Sequence, residues 1–137
     1  MPLPPAVRFG SIYRIALTGA IAGLLFGFDT AVINGALISL RSRFALSEVQ
    51  VEFAASSLLY GCLFGAMVAG TLSDRSGRRS ILRLSGLLFL LSAIFAAVPH
   101  TFAEFLVARF LGGLGIGLAS TVAPLYLAEV SPRNKRG

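Results

Sequence analysis

A cluster of charges between two long apolar runs is the feature that most constrains how this chain can fold. The cluster lies in Gly70–Ser80 and contains Asp74, Arg75, Arg78 and Arg79. A single charge at the centre of a bilayer costs about 2.5–3.5 kcal/mol on insertion scales, so these residues must lie in water. We therefore predict a loop here between two membrane-crossing helices. Its excess of arginine places it on the cytoplasmic side.

The composition is that of an integral membrane protein. Apolar residues make up 55% of the 137 residues and charged residues only 13%, whereas soluble domains carry roughly a quarter charged residues. The net charge of +6 could suggest a nucleic-acid partner. We expect none, because the basic residues flank apolar runs, where membrane insertion and anionic lipid headgroups favour them. The chain shows no paired Cys/His spacing, so we expect no metal site.

Four apolar segments are long enough to cross a bilayer, which takes about 20 residues. They follow a short lead at residues 1–11 and cover about residues 12–36, 52–73, 81–98 and 102–127. Ile38–Gln50 forms a polar connection between the first two. One side of this arrangement holds most of the basic residues and the other only Arg41 and Arg43, which predicts that both ends are cytoplasmic. The sequence thus predicts an all-α, multi-pass protein of the cell membrane.

Small residues recur at four-residue spacing in three of the segments. They are Gly19, Gly23 and Gly27, then Gly61, Gly65 and Ala69, then Gly113 and Gly117, with Gly112 and Gly115 adjacent. Small residues let membrane helices approach closely, where lipid offers no hydrophobic reason to associate. The pattern predicts tight helix packing, and smooth faces of this kind also let helices slide or rock.

Two ionisable residues lie inside the predicted spans, Asp29 in the first and Arg109 in the fourth. At 1.5 Å per residue, each lies roughly 10 Å below the outer surface. Opposite charges at matching depth can neutralise each other. One interpretation is a static ion pair that fixes helix register. The other is a proton-coupling carboxyl, since separation from Arg109 would raise the affinity of Asp29 for a proton.

Three stretches resemble motifs of a known transporter family. The loop resembles the signature between the second and third helices of the major facilitator superfamily: Gly70-x-Leu72-x-Asp74-Arg75-x-Gly77-Arg78-Arg79. The end of the chain resembles the sugar porter family within it: Arg109-x-x-x-Gly113, then Pro124-x-Tyr126-x-x-Glu129-x-x-Pro132-x-x-x-Arg136-Gly137. The first span is similar to that family's opening helix: Phe26-Gly27-Phe28-Asp29-Thr30-x-x-Ile33-Asn34-Gly35.

The resemblance implies a twelve-helix transporter that carries a monosaccharide by alternating access. By position, Asp29 and Arg109 match the proton-coupling pair of the family's symporters, and Phe26 matches an aromatic residue that lines the sugar site. Phe28 departs from the pattern, because tyrosine is common there. The resemblance also implies a charge network that latches the two halves of the transporter in the outward-facing state. Its residues here are Asp74, Arg75, Arg78, Arg79, Glu129 and Arg136.

On this resemblance, the chain is the start of the N-terminal six-helix half, without the C-terminal helices of the same polypeptide, and we expect no transport by it alone. Two alternatives remain open. One is a four-helix exporter that works as a dimer, with Asp29 binding protons and cationic substrates. The other is a structural or assembly subunit. We expect neither an enzyme nor a cofactor, because the sequence has no nucleophile–base constellation and Gly112–Gly117 lies in an apolar span rather than a phosphate-binding turn.

Overall fold

The structure is a computed structural model that describes residues 24, 27, 31 and 33–130. The continuously described part of helix α1 is residues 33–44; α2 covers Glu48–Ser76, α3 Arg78–Ala97 and α4 Phe102–Val130. In the described part of the chain, three helices, α2, α3 and α4, are long and apolar enough to cross a bilayer. The predicted all-helical membrane architecture is confirmed at this level. Most of the first predicted span lies outside the described residues, so the number of four spans stays a prediction.

A tight turn separates α1 from α2. Helix α1 continues to residue 44, so the segment predicted as a polar connection is largely helical, and only residues 45–47 link the two helices. Ser47 caps α2 in a reciprocal arrangement. Its hydroxyl accepts a hydrogen bond from the Gln50 backbone N–H at 3.3 Å, and the Gln50 side-chain oxygen accepts one from the Ser47 N–H at 2.9 Å. Such a cap satisfies backbone donors that the first helical turn leaves open.

The charge cluster is not the loop that we predicted from Gly70 to Ser80. Helix α2 continues through Ser76 and α3 starts at Arg78, so the chain breaks only at Gly77. Gly77 has φ 81°, a conformation that glycine adopts without steric cost, and its N–H donates to the Ser73 carbonyl at 2.9 Å. Hydropathy predicts where the apolar segment ends. It does not predict where the helix ends, because the backbone hydrogen bonds of a helix also form in water. We call this end of the bundle the Gly77 end.

Helix α4 is the centre of the bundle and packs along both α2 and α3. Its glycines make the approach possible on two sides. A Cβ at Gly113 would overlap the Leu58 carbonyl oxygen of α2, and one at Gly115 would lie 2.8 Å from the Ser85 carbonyl oxygen of α3. Gly61 and Gly65 of α2 meet the α4 backbone in the same way. The close helix packing predicted at the small residues of the second and fourth spans is therefore confirmed, and the structure shows that these two helices pack against each other.

Apolar side chains fill the space between these helices at both ends. Near the start of α2, the end of α1 packs against α2 and α4 in a cluster that includes Leu37, Ala54 and Phe105. Towards the Gly77 end, Ala69, Ile81 and Val122 join α2, α3 and α4. The outward faces carry large apolar side chains that are more than a third exposed, as expected for surfaces that face lipid or further membrane helices.

Candidate functional site

One arginine connects three helices at the Gly77 end. Arg78 is the first residue of α3, and its Nε donates to Oε1 of Glu129, near the end of α4, at 2.8 Å. Its Nη1 donates to Oδ1 of Asp74 at 3.2 Å and to the hydroxyl of Ser73 at 2.9 Å, both in the last turns of α2. The Ser73 hydroxyl in turn donates to the Gly70 carbonyl at 3.0 Å. One guanidinium thus holds the ends of α2, α3 and α4 together.

The next arginine makes a second contact to α4. The Nε of Arg79 donates to the hydroxyl of Tyr126 at 3.0 Å, and its guanidinium carbon lies 5.7 Å from the centre of that ring. Tyr126 is not among the network residues predicted from the sequence. Its position could have indicated the role, since it precedes Glu129 by three residues and therefore shares a helix face with it.

Some of the residues predicted for the charge network contact one another in the structure, and others do not or lie outside the described residues. Asp74, Arg78 and Glu129 form one ion-paired cluster, and Arg79 lies beside it. Arg75 is exposed in the last turn of α2. Arg136 lies outside the described residues.

Arg109 is buried inside the bundle. Its residue exposure is 3%, and it is the only charged residue that is buried in the described part of the chain. Its neighbours along α4 include Phe105 and Ala108, each 1% exposed. Counted from the start of α4 at Phe102, it lies roughly 10 Å along the helix. Its depth in the bilayer stays a prediction. Asp29 and Phe26 lie outside the described residues, so their predicted positions near Arg109 and the sugar remain predictions.

An open cleft of about 400 Å³ lies beside the charge network. Its lining comes from the turn between α2 and α3, the first turns of α3 and the end of α4, and consists of Ser76, Gly77, Arg78, Arg79, Ser80, Arg83, Tyr126 and Glu129. The cleft is strongly basic, since three of these side chains are arginines and one is a carboxylate.

The sequence profile of the sugar (and other) transporter family matches residues 15–137 of this chain. The chain belongs to that family. A crystal structure of a D-xylose-proton symporter matches with a TM-score of 0.81 and 36% identity, over 92% of this chain and 35% of that one. The inward-open xylose transporter of Escherichia coli matches with a TM-score of 0.78 and 36% identity, over 92% of this chain and 34% of that one.

Two curated relatives of the sugar transporter family extend the comparison. The glucose transport protein of Synechocystis sp. is 45% identical over 92% of this chain and 27% of its own length. The arabinose-proton symporter of Bacillus subtilis is 38% identical over 100% of this chain and 30% of its own length. This chain therefore spans less than a third of the length of these two relatives.

The resemblance to sugar porters of the major facilitator superfamily is confirmed. Membership of the family, together with the apolar helices, identifies a multi-pass membrane protein. The family is one of transporters rather than of enzymes.

Proposed function

We propose that this chain supplies the first four membrane helices of a monosaccharide transporter that couples sugar movement to protons, with both chain ends in the cytoplasm. Family membership supports the transport of a sugar. Relatives named as arabinose-proton and D-xylose-proton symporters support the coupling to protons. In the proposed topology, the Gly77 end lies at the cytoplasmic surface and the start of α4 at the outer surface.

The observation that carries the proposal is the burial of Arg109 in an apolar bundle. Ionisable residues within membrane helices are costly and usually mark ion or substrate pathways. The sequence puts one acid, Asp29, at a similar depth in the first span. We assign Asp29 as the proton-binding group and Arg109 as the cation that favours its ionised form. Protonation of Asp29 would weaken its attraction to Arg109 and so shift the balance between two conformations.

The charge network at the Gly77 end supports a second part of the proposal. Its ion pairs are half-exposed, with side-chain exposures of 26% for Arg78 and 53% for Glu129, so they add little to folding stability. Contacts of this kind can still bias a two-state equilibrium, provided that they form in only one of the states. We assign the network as a latch for the outward-facing state. Phe26, three residues before Asp29, would line the sugar site.

A chimaera with a proton symporter tests the proposal directly. Residues 1–137 replace the aligned segment of the arabinose-proton symporter of Bacillus subtilis, which this chain matches along its full length. Energised vesicles that contain the chimaera should accumulate labelled arabinose above the external concentration. A protonophore should abolish that accumulation, because the proton gradient would drive it.

Two controls make the result decisive. The unmodified symporter shows that the vesicles hold a gradient, and immunoblotting shows that the chimaera reaches the membrane. Arabinose accumulation that is unchanged by the protonophore would contradict proton coupling. A chimaera that inserts normally and binds no sugar would contradict the proposal that this chain supplies the first helices of a sugar transporter.

A further inference from the structure

The cleft at the Gly77 end carries positive charge that the charge network does not use. We propose that it binds the phosphate of an anionic phospholipid, with Arg79 and Arg83 contacting the phosphate and the acyl chains lying along the exposed face of α3. This inference goes beyond the proposed transport function. It requires only that the helices cross a bilayer.

The ion pairs at the Gly77 end neutralise Arg78 but not Arg79 or Arg83. Arg78 takes up both nearby carboxylates, Asp74 and Glu129. Arg79 bonds to a neutral partner, the hydroxyl of Tyr126, so its charge is not cancelled by that contact. Within residues 33–130, neither Arg79 nor Arg83 forms a salt bridge to a carboxylate. Both are exposed and both line the cleft.

Arginine suits phosphate better than other cations do. Its planar guanidinium presents several N–H donors in a fork that matches phosphate oxygens. Arg79 and Arg83 are four residues apart in α3, so they project from the same helix face in successive turns. One phosphate group can therefore lie between them.

The face of α3 beyond the two arginines explains why we assign a lipid rather than a free anion. Leu87, Leu90 and Ile94 continue from Arg83 at helical spacing, with exposures of 53%, 57% and 59%. The face is thus basic in its first turns and apolar for the rest of its length. A phospholipid complements this face, because it carries charge at its headgroup and is apolar along its acyl chains. Basic residues beside a membrane surface each attract anionic lipid by about 1 kcal/mol.

The test measures lipid binding to the full chain, purified in detergent, by native mass spectrometry. The probes are phosphatidylglycerol and phosphatidylcholine with identical acyl chains. We expect phosphatidylglycerol to bind more tightly. The double variant Arg79→Gln/Arg83→Gln should bind it about 30-fold more weakly, with phosphatidylcholine binding unchanged, because two arginines at about 1 kcal/mol each are removed. Equal binding of the two lipids to the unmodified chain would overturn the proposal.

The matched control removes two exposed arginines from the other end of the described bundle. Arg41→Gln/Arg43→Gln should keep phosphatidylglycerol binding within about twofold. These two residues lie at the end of α1, next to the start of α2, whereas the cleft lies at the other end of α2. An equal loss of phosphatidylglycerol binding in both double variants would show that exposed arginines at either end of the bundle attract the lipid. This result would overturn the proposal of a specific site at the cleft. Inorganic phosphate in excess should not displace the lipid. Displacement would show a site for free anions instead.

Single substitutions guard against misfolding, because Arg79 also contacts Tyr126. Arg83→Gln should weaken phosphatidylglycerol binding about fivefold, and Arg83→Lys should keep most of it, because lysine retains the charge. Circular dichroism should show the same helix content in every variant. A folded Arg83→Gln chain that binds the lipid as tightly as the unmodified chain would contradict the proposal.

Discussion

The Nε atom of Arg78 lies 2.8 Å from Oε1 of Glu129, and this contact closes a gap of 51 residues in the sequence. The same guanidinium contacts Asp74 at the end of α2. Three helices therefore meet at one side chain that sits directly after Gly77, the residue at which the chain turns from α2 into α3. Any motion that separates the end of α4 from the α2–α3 turn must break the contact between Arg78 and Glu129.

The first prediction concerns that contact. In the arabinose symporter chimaera, Glu129→Gln removes the charge that Arg78 binds, while Asp74 keeps its own contact. We expect the outward-facing state to lose stability and the cytoplasmic pathway to open more often. The probe is a cysteine at the exposed α4 position Ser120 (Ser120→Cys), in a chain with Cys62 replaced by alanine. A maleimide added from the cytoplasmic side should label this cysteine faster in the Glu129→Gln variant.

Glu52→Gln is the matched control, because Glu52 is also exposed and lies towards the other end of α2. It should leave the labelling rate of Ser120→Cys unchanged. An unchanged rate with Glu129→Gln as well would show that the contact does not act as a latch.

The second prediction separates two glycines that differ only in their surroundings. A Cβ at Gly113 would overlap the Leu58 carbonyl oxygen and lie 2.9 Å from the Cys62 nitrogen, whereas one at Gly86 meets nothing within 4 Å. Gly113→Ala should destabilise the bundle by about 1–3 kcal/mol, because α4 must move away from α2. Gly86→Ala should be neutral or stabilising by up to about 1 kcal/mol, because alanine favours helix.

Thermal unfolding of the purified chain in detergent, followed by circular dichroism, compares the two variants. The Gly113→Ala transition should fall below that of the unmodified chain and the Gly86→Ala transition should not. Similar shifts in both variants would show that helix propensity, rather than the backbone contact between α2 and α4, governs stability here.

Several features of the bundle could be predicted from the sequence, because they depend on local spacing. Glycines four residues apart identified the contact faces of α2 and α4, since that spacing places them on one side of a helix. The burial of Arg109 followed from its position inside an apolar run. The extent of the helices did not follow, because hydropathy records the thickness of the membrane while hydrogen bonding and Gly77 decide where the helices end. The contact between Arg79 and Tyr126 requires the relative position of two helices, which no local pattern contains.

The third prediction tests the orientation of the helices. Ser80 is exposed in the first turn of α3, and His100 is exposed in the segment that follows the other end of this helix. In a chain with Cys62 replaced by alanine, His100→Cys should react with a membrane-impermeant maleimide in intact cells. Ser80→Cys should react only after the membrane is permeabilised, because the arginines near Gly77 favour the cytoplasmic side. The opposite pattern would mean that the bundle is inverted.

The last prediction concerns Asp29 and its relation to Arg109. In the chimaera, Asp29→Asn keeps the size of the side chain but cannot bind or release a proton. Accumulation of arabinose against its gradient should be lost, whereas exchange of internal for external sugar should continue, because exchange needs the conformational change but no net proton movement. Arg109→Gln should also impair accumulation, since it removes the cation that we assign as the partner of Asp29.

Glu104→Gln serves as the control for these two variants, because Glu104 is an exposed acid in the first turn of α4. It should retain accumulation, since its carboxylate accepts a hydrogen bond from the nearby His100 backbone N–H, at 2.9 Å, a contact local to the start of α4. If Asp29→Asn still concentrated arabinose, another group would have to carry the proton. If Asp29→Asn abolished both accumulation and exchange in a chimaera that reaches the membrane, the carboxyl would be needed for the conformational change itself rather than for coupling.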